Sequence, residues 1–187
     1  MLRLFIAWPL DDAIRRELAR ITGALRPRMP AASWPRPESI HLTFAFLGDT
    51  PAERVDAIAR SLDSCADARA IDVRGGEVGL FPDERRPRVA WIGLEPHDTV
   101  SALAGRLRAA LADAGIAFDP KPFRPHLTVA RVKAPWRASD VAALRDAFRG
   151  WSSPAARLDR VVLYESRLDA GGAVHTELHA LPLRTES

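Results

Sequence analysis

Apolar positions recur along the chain with two periods, and they divide it into strands and helices. Arg3–Trp8 is a short apolar run with strand character. Ile14, Leu18, Ile21 and Leu25 then step by four, three and four, which predicts an amphipathic helix over 11–26. Asp11 or Asp12 supplies its N-cap, and Pro27 and Pro30 stop it. Trp34-Pro35-Arg36-Pro37 reads as an extended lead into a strand running from His41 to Gly48. Thr50-Pro51-Ala52-Glu53 has the form of a capping box with proline at the first helical position. It predicts a helix over 51–66 that turns Val55, Ile58, Leu62 and Cys65 or Ala66 inward. Strands are expected at Ala70–Phe81, interrupted by Gly75-Gly76, and at Arg88–Leu94, with the polar stretch 82–87 between them.

The same order then begins again. Asp98 or Thr99 is placed to cap a helix over 98–114, with Val100, Leu103, Leu107, Leu111 and Ala114 on one face and Gly115 closing it. Pro120, Pro122 and Pro125 lead into a second strand beginning at His126. Ser139 caps a shorter helix over 139–149 that carries Val141, Leu144 and Phe148 and ends at Gly150. Arg157–Tyr164 and Ala173–Leu183 are strands, joined by a hairpin-like turn at Gly171-Gly172. His126 follows His41 by 85 positions, and the same shift lays Arg3-Leu4 on Arg88-Val89 and Leu42-Thr43 on Leu127-Thr128. A unit of strand, helix, strand, helix, strand is thus used twice. The expected fold is α+β: two lobes related by a pseudo-two-fold axis, each an antiparallel sheet with helices packed outside, and a cleft between them. Residues 1–187 form one bilobal domain in this reading, with repeat halves of about 1–87 and 88–187.

Composition narrows the picture modestly. A chain of 187 residues buries roughly 70% of its unfolded surface and needs no staple. The single Cys65 precludes an internal disulfide and reads as a small buried hydrophobe, which fits a cytoplasmic address. Pro9, Asp11 and Asp12 end the amino-terminal apolar run well short of a signal or spanning length, and no other stretch is long enough to cross a bilayer. The balance of 27 basic against 24 acidic residues leaves a net charge of +3, too small for indiscriminate binding to long nucleic acid. A local basic groove is compatible with it.

The chemistry sits in the two equivalent strands, Ser39-Ile40-His41-Leu42-Thr43-Phe44-Ala45-Phe46-Leu47-Gly48 and Arg124-Pro125-His126-Leu127-Thr128-Val129-Ala130-Arg131-Val132. Side chains alternate along a strand, so each His and Thr share one face while the leucine points to the other. A pseudo-two-fold axis brings the two strands together across the cleft, each offering an imidazole and a hydroxyl. Such a pair suits in-line phosphoryl chemistry. One neutral imidazole takes a proton from the attacking oxygen, and one imidazolium gives a proton to the leaving oxygen. Thr43 and Thr128 are candidates to hold the non-bridging oxygens. On the residues alone, either histidine can be the acid.

These contexts resemble the two-histidine phosphoesterase superfamily, and within it the bacterial and archaeal RNA 2′,3′-cyclic phosphodiesterases, also called 2′–5′ RNA ligases. The likeness runs from the opening Leu-Phe-Ile-Ala strand through Trp34-Pro35 to the final hairpin, with both motifs intact. It implies hydrolysis of an RNA 2′,3′-cyclic phosphate to a 2′-phosphomonoester without a metal or other cofactor. It also implies His41 as proton donor to the 3′ oxygen and His126 as the acceptor that activates water. Thr43, Thr128 and Arg131 would bind the phosphate. RNA ends or small cyclic nucleotide phosphates are the expected substrates of a monomer without an obligatory protein partner. Ligation of RNA halves is the reverse reaction at the same site, and another cyclic phosphate or a 2′–5′ oligonucleotide is the alternative substrate. Phe46, Trp8 and Phe123 are aromatic candidates for stacking on a nucleobase.

Two other readings compete. An RNA-binding module with an inactive cleft is disfavoured by the intact histidines. A metal-dependent hydrolase would draw on His175-Thr176-Glu177-Leu178-His179, whose alternate residues share a face on a regular strand. That spacing matches no recognised zinc site, and a solvated hairpin face is the expectation for it. His97, beside Pro96, is expected in a loop without a catalytic role.

Overall fold

Short β-rich runs bounded by proline and glycine pair into a single curled sheet in the computed structural model, which describes residues 1–169 and 172–185. The strands are β1 (Leu2–Pro9), β2 (Ala32–Ser33), β3 (His41–Thr50), β4 (Ile71–Phe81), β5 (Val89–Glu95), β6 (His126–Val132), β7 (Ala156–Leu158), β8 (Arg160–Asp169) and β9 (Gly172–Pro182). Their spatial order is β7-β4-β5-β6-β3-β1-β8-β9, with β2 paired to β6. All the strand pairs are antiparallel among the described residues. The predicted final hairpin forms between β8 and β9, though Gly171 of its turn lies outside the described residues.

The two half-sheets meet at the pair Leu42↔Leu127, the only partners in register between β3 and β6. These residues are 85 positions apart, so the join falls between equivalent positions of the repeat. Lobes and sequence halves do not coincide. β1 and β3 sit with β8 and β9 from the far end of the chain, while β5 and β6 sit with β4 from the first half. Each half of the sequence therefore supplies strands to both lobes.

Four helices among the described residues cover one face of the sheet: α1 (Asp12–Leu25), α2 (Val55–Asp63), α3 (His97–Asp113) and α4 (Ala138–Ala147). α1 buries Ile14, Leu18, Ile21 and Leu25 as the spacing predicts, and Asp11 accepts from the amide of Ala13 at 2.7 Å. α3 buries Val100, Leu103, Leu107 and Leu111. Leu42, Phe44, Leu127 and Val129 meet these helices in one continuous core. Three predicted caps fail. Thr50 is held in the sheet by pairing with Leu2, so its hydroxyl turns to the carbonyl of Gly48, and a 3-10 turn over Ala52–Arg54 precedes α2. α3 begins one residue early at His97, whose amide donates to the Glu95 carboxylate at 2.7 Å. His97 is thus on a helix rather than in a loop. α4 likewise begins before Ser139, with Asp140 accepting from the amide of Arg137. No helix among the described residues is long and apolar enough to cross a membrane.

Candidate functional site

Alternation places His41 and Thr43 on the uncovered face of β3, and His126 and Thr128 on the same face of β6. An antiparallel register centred on Leu42↔Leu127 sets His41 toward Thr128 and Thr43 toward His126. Alternation then breaks at matching points. On β3 the partners step from Ala7↔Thr43 to Ile6↔Ala45, leaving Phe44 as the extra residue of a bulge. On β6 they step from Trp91↔Thr128 to Ala90↔Ala130, leaving Val129 extra. Phe44 and Val129 are again 85 positions apart. Each bulge turns an alanine, Ala45 or Ala130, into the core and brings the next residue back to the open face. That residue is Phe46 on β3 and Arg131 on β6.

Both histidines are partly buried and held in the same way. His41 Nδ1 lies 2.8 Å from the carbonyl of Ser39, and His126 Nδ1 lies 2.7 Å from the carbonyl of Arg124. A carbonyl can only accept, so Nδ1 carries the hydrogen in each neutral ring and Nε2 is left as the basic nitrogen. Burial lowers the pKa of His41 to about 4, helped by the charges of His175, Arg131 and His126 and opposed by the Ser39 carbonyl. Burial also lowers the pKa of His126, opposed by the Arg124 carbonyl and helped by the charges of Arg124 and Arg131. Both rings are therefore neutral in the free site near pH 7. The charge of Arg131 lowers the pKa of both imidazoles.

Each histidine has its own aromatic wall. Phe5 stacks under His41 at 4.8 Å between ring centroids and on Tyr164 at 5.3 Å. Phe46, 51% exposed, lies 6.2 Å from Phe5 and is open to a ligand. On the other side Phe81 stands edge-on to His126 at 5.2 Å and stacks on Trp91 at 5.0 Å, and the Arg124 guanidinium lies 4.5 Å over the indole. Phe5, Phe81, Trp91 and Tyr164 carry no signal of their own in the sequence, because an aromatic in an apolar strand reads as core. The 85-residue shift nearly aligns Phe5 with Trp91 and is the one clue available.

Two of the three aromatic candidates fall away. Trp8 pairs with Leu42, so it points to the covered face, where it is 1% exposed and part of the core. Phe123 stacks on the buried Phe44 at 6.0 Å and takes the Arg108 guanidinium at 6.0 Å, so it packs on the core side. The expectation of a solvated face at 175–179 holds only in part: Thr176 and Glu177 are exposed, while His175, Leu178 and His179 are half-buried. A bulge at Leu178 moves the pairing from Tyr164↔Glu177 to Leu163↔His179. It sends His179 to the covered face, where Nε2 lies 2.7 Å from Asp63 Oδ1. His175 remains on the open face with its ring 5.4 Å from that of His41. The three side chains of that cluster do not converge, and no other group of His, Cys, Asp and Glu among the described residues is arranged to hold a metal ion.

A sequence model of the 2′-5′ RNA ligase superfamily matches residues 10–170. The RNA 2′,3′-cyclic phosphodiesterase of Methanothermobacter thermautotrophicus is 30% identical over 97% of this chain and 98% of its own length. The crystal structure of TT0787 of Thermus thermophilus superposes with a TM-score of 0.80 at 29% identity, covering 100% of both chains. That of Escherichia coli LigT complexed with 3′-AMP gives a TM-score of 0.79 at 25% identity over 98% of this chain and 99% of the other.

Proposed function

The chain belongs to the 2′-5′ RNA ligase superfamily, and on that premise we propose that it is an RNA 2′,3′-cyclic phosphodiesterase working by two-histidine acid–base catalysis without a metal. The observation that carries the reading is the meeting of the two His-Leu-Thr strands at Leu42↔Leu127, each imidazole held at Nδ1 with Nε2 left for proton transfer. Neutral His126 takes the proton of the attacking water. His41, as imidazolium, gives its proton to the departing 3′ oxygen, and a 2′-phosphomonoester is released. The hydroxyls of Thr43 and Thr128 and the guanidinium of Arg131 donate to the non-bridging oxygens, where negative charge gathers.

The free site holds His41 neutral, so the acid must be loaded as the substrate binds. An anionic phosphate beside the ring favours imidazolium and supplies that bias. Phe46, exposed on the His41 side, is placed to stack on the terminal base. The paired offsets of 85 residues in the motifs, the bulges and the join support a single bilobal domain that arose by duplication of a half-chain. Ligation of RNA halves uses the same groups in the reverse direction.

The deciding experiment compares His41→Ala and His126→Ala on a 2′,3′-cyclic nucleotide and on an activated nitrophenyl phosphodiester. Each variant should lose roughly 10² or more in turnover on the cyclic phosphate. The nitrophenolate needs no proton, so His41→Ala should recover on that substrate while His126→Ala stays impaired. Selective recovery of His126→Ala would reverse the roles. Full activity of either variant on the cyclic phosphate would refute the site.

A further inference from the structure

The two working histidines each have one ring standing edge-on to them, and the two rings differ in kind. His126 is met edge-on by Phe81, with centroids 5.2 Å apart and planes at 89°. His41 is met in the same way by His175, at 5.4 Å and 87°. The 85-residue shift carries Phe81 onto Ser166, a side chain too small to reach the neighbouring ring. Ser166 pairs directly with His175 on β9, so the adjacent strand supplies the ring that the shifted position lacks. His175 also stands edge-on to Phe5 at 4.9 Å, the ring on which His41 stacks. Its Nδ1 is shut off from solvent and has no hydrogen-bond partner among the described residues. A phenyl group in this place can only pack, whereas an imidazole can also take up a proton.

We propose that His175 is a positioning residue for His41: it braces the His41 ring edge-on, and protonation of either imidazole disfavours protonation of the other. Two imidazolium rings this close repel, so protonating either one opposes protonation of the other. Apart from the Ser39 carbonyl, which accepts from His41 Nδ1, the groups around the pair do not bond to it. Glu177 and Tyr164 share the open face with His175, and Arg131 acts from β6. Glu38 lies in the turn Pro37–Ser39 that packs on β9, and Asp63 of α2 is engaged by His179. In the proposed reaction, on which the catalytic part of this inference rests, burial keeps the free His41 ring neutral near pH 7, and the coupling adds to it in the more acidic range where His175 takes up its own proton.

The test is an NMR titration of the histidine side chains in the full chain, free of ligand, for wild type, His175→Gln and His175→Phe. In wild type the His41 resonances should move in two steps, one coincident with the titration of His175. In both variants the step owed to His175 should be lost, and in His175→Gln the midpoint of His41 should lie at higher pH. A His41 curve unchanged by both substitutions would overturn the proposal. This reading needs no turnover, so it stands apart from any failure of the cyclic phosphodiesterase assignment. Kinetics supply a second readout. His175→Gln should move the pH profile of kcat/KM upward with KM for the cyclic nucleotide unchanged. A raised KM with an unmoved profile would make His175 a substrate contact and refute the positioning role.

Discussion

Gly79 offers the sharpest test of how the His126 wall is built. It lies opposite Trp91 in the β4–β5 pair, and the indole lies across the space where a side chain would be. A Cβ added at position 79 would stand 2.0 Å from Trp91 Cζ2 and 2.4 Å from Cε2 and Cη2. Ordinary contact begins near 3.4 Å, so the ring must retreat by roughly 1.4 Å to admit one methyl group. It has little room to do so. Trp91 is 4% exposed, stacked on Phe81, capped by Arg124 and 6.3 Å edge-on from His126. Overpacking of this kind costs about 1–3 kcal/mol. For a chain of this size that is a fall of about 2–12 °C in the unfolding midpoint. The ring can shift only by pressing on Phe81, Arg124 or His126, and a misplacement of about 1 Å at a reacting group costs about 10²-fold in rate. Gly79→Ala should therefore lower both the midpoint and kcat/KM on a cyclic nucleotide, measured by thermal unfolding and steady-state kinetics. Gly76→Ala is the control, since it has no atom within 4 Å of the added Cβ and no positive φ. It should be neutral, or stabilising by about 0.4–1 kcal/mol. A Gly79→Ala protein as stable and as active as Gly76→Ala would refute the packing argument.

Three further outcomes are expected. Hydrolysis should persist in excess EDTA, because the proposed proton transfers use only imidazoles; loss in chelator with recovery on adding zinc or manganese would point to a metal hydrolase. Arg131→Met should raise the titration midpoints of both His41 and His126, since its charge lowers both, and should weaken binding of inorganic phosphate by calorimetry; unmoved midpoints would place that charge elsewhere. Because the folded pKa of His41, about 4, lies below its ordinary value of 6.5, the unfolded chain binds this proton first. Stability should then fall as pH drops from about 6.5 toward 4, and His41→Gln should flatten that slope in urea titrations; an unchanged slope would show that the burial of His41 is not its source.

The sequence alone determined which candidate side chains are present and roughly where the elements lie. Periods of 3.6 and 2 are local properties, so the helices over Asp12–Leu25 and His97–Asp113 and the paired His-Leu-Thr strands were legible without tertiary information. The 85-residue repeat was equally open to counting, and it foretold the equivalence of His41 with His126 and of Thr43 with Thr128. Helix starts were less legible, because a cap depends on which groups the sheet has already engaged, as the pairing of Thr50 with Leu2 shows.

The tertiary structure decided which side chains join the two histidines. Strict alternation aims Ala45 and Ala130 at the cleft and buries Phe46 and Arg131. The bulges at Phe44 and Val129 reverse this, and a bulge appears only when partner strands are laid side by side. The same cause separates His175 from His179. Three alternating residues on one strand become, after the bulge at Leu178, a ring beside His41 and a ring bonded to Asp63 on the opposite face. Strand order brought in the rest. β8 and β9 lie more than a hundred residues along the chain from β3 yet wall its histidine, because the half-sheets take strands from both ends of the sequence. Apolar pattern says that Phe5, Trp91 and Tyr164 belong in strands; only the packing of one strand against another says that these rings face the imidazoles.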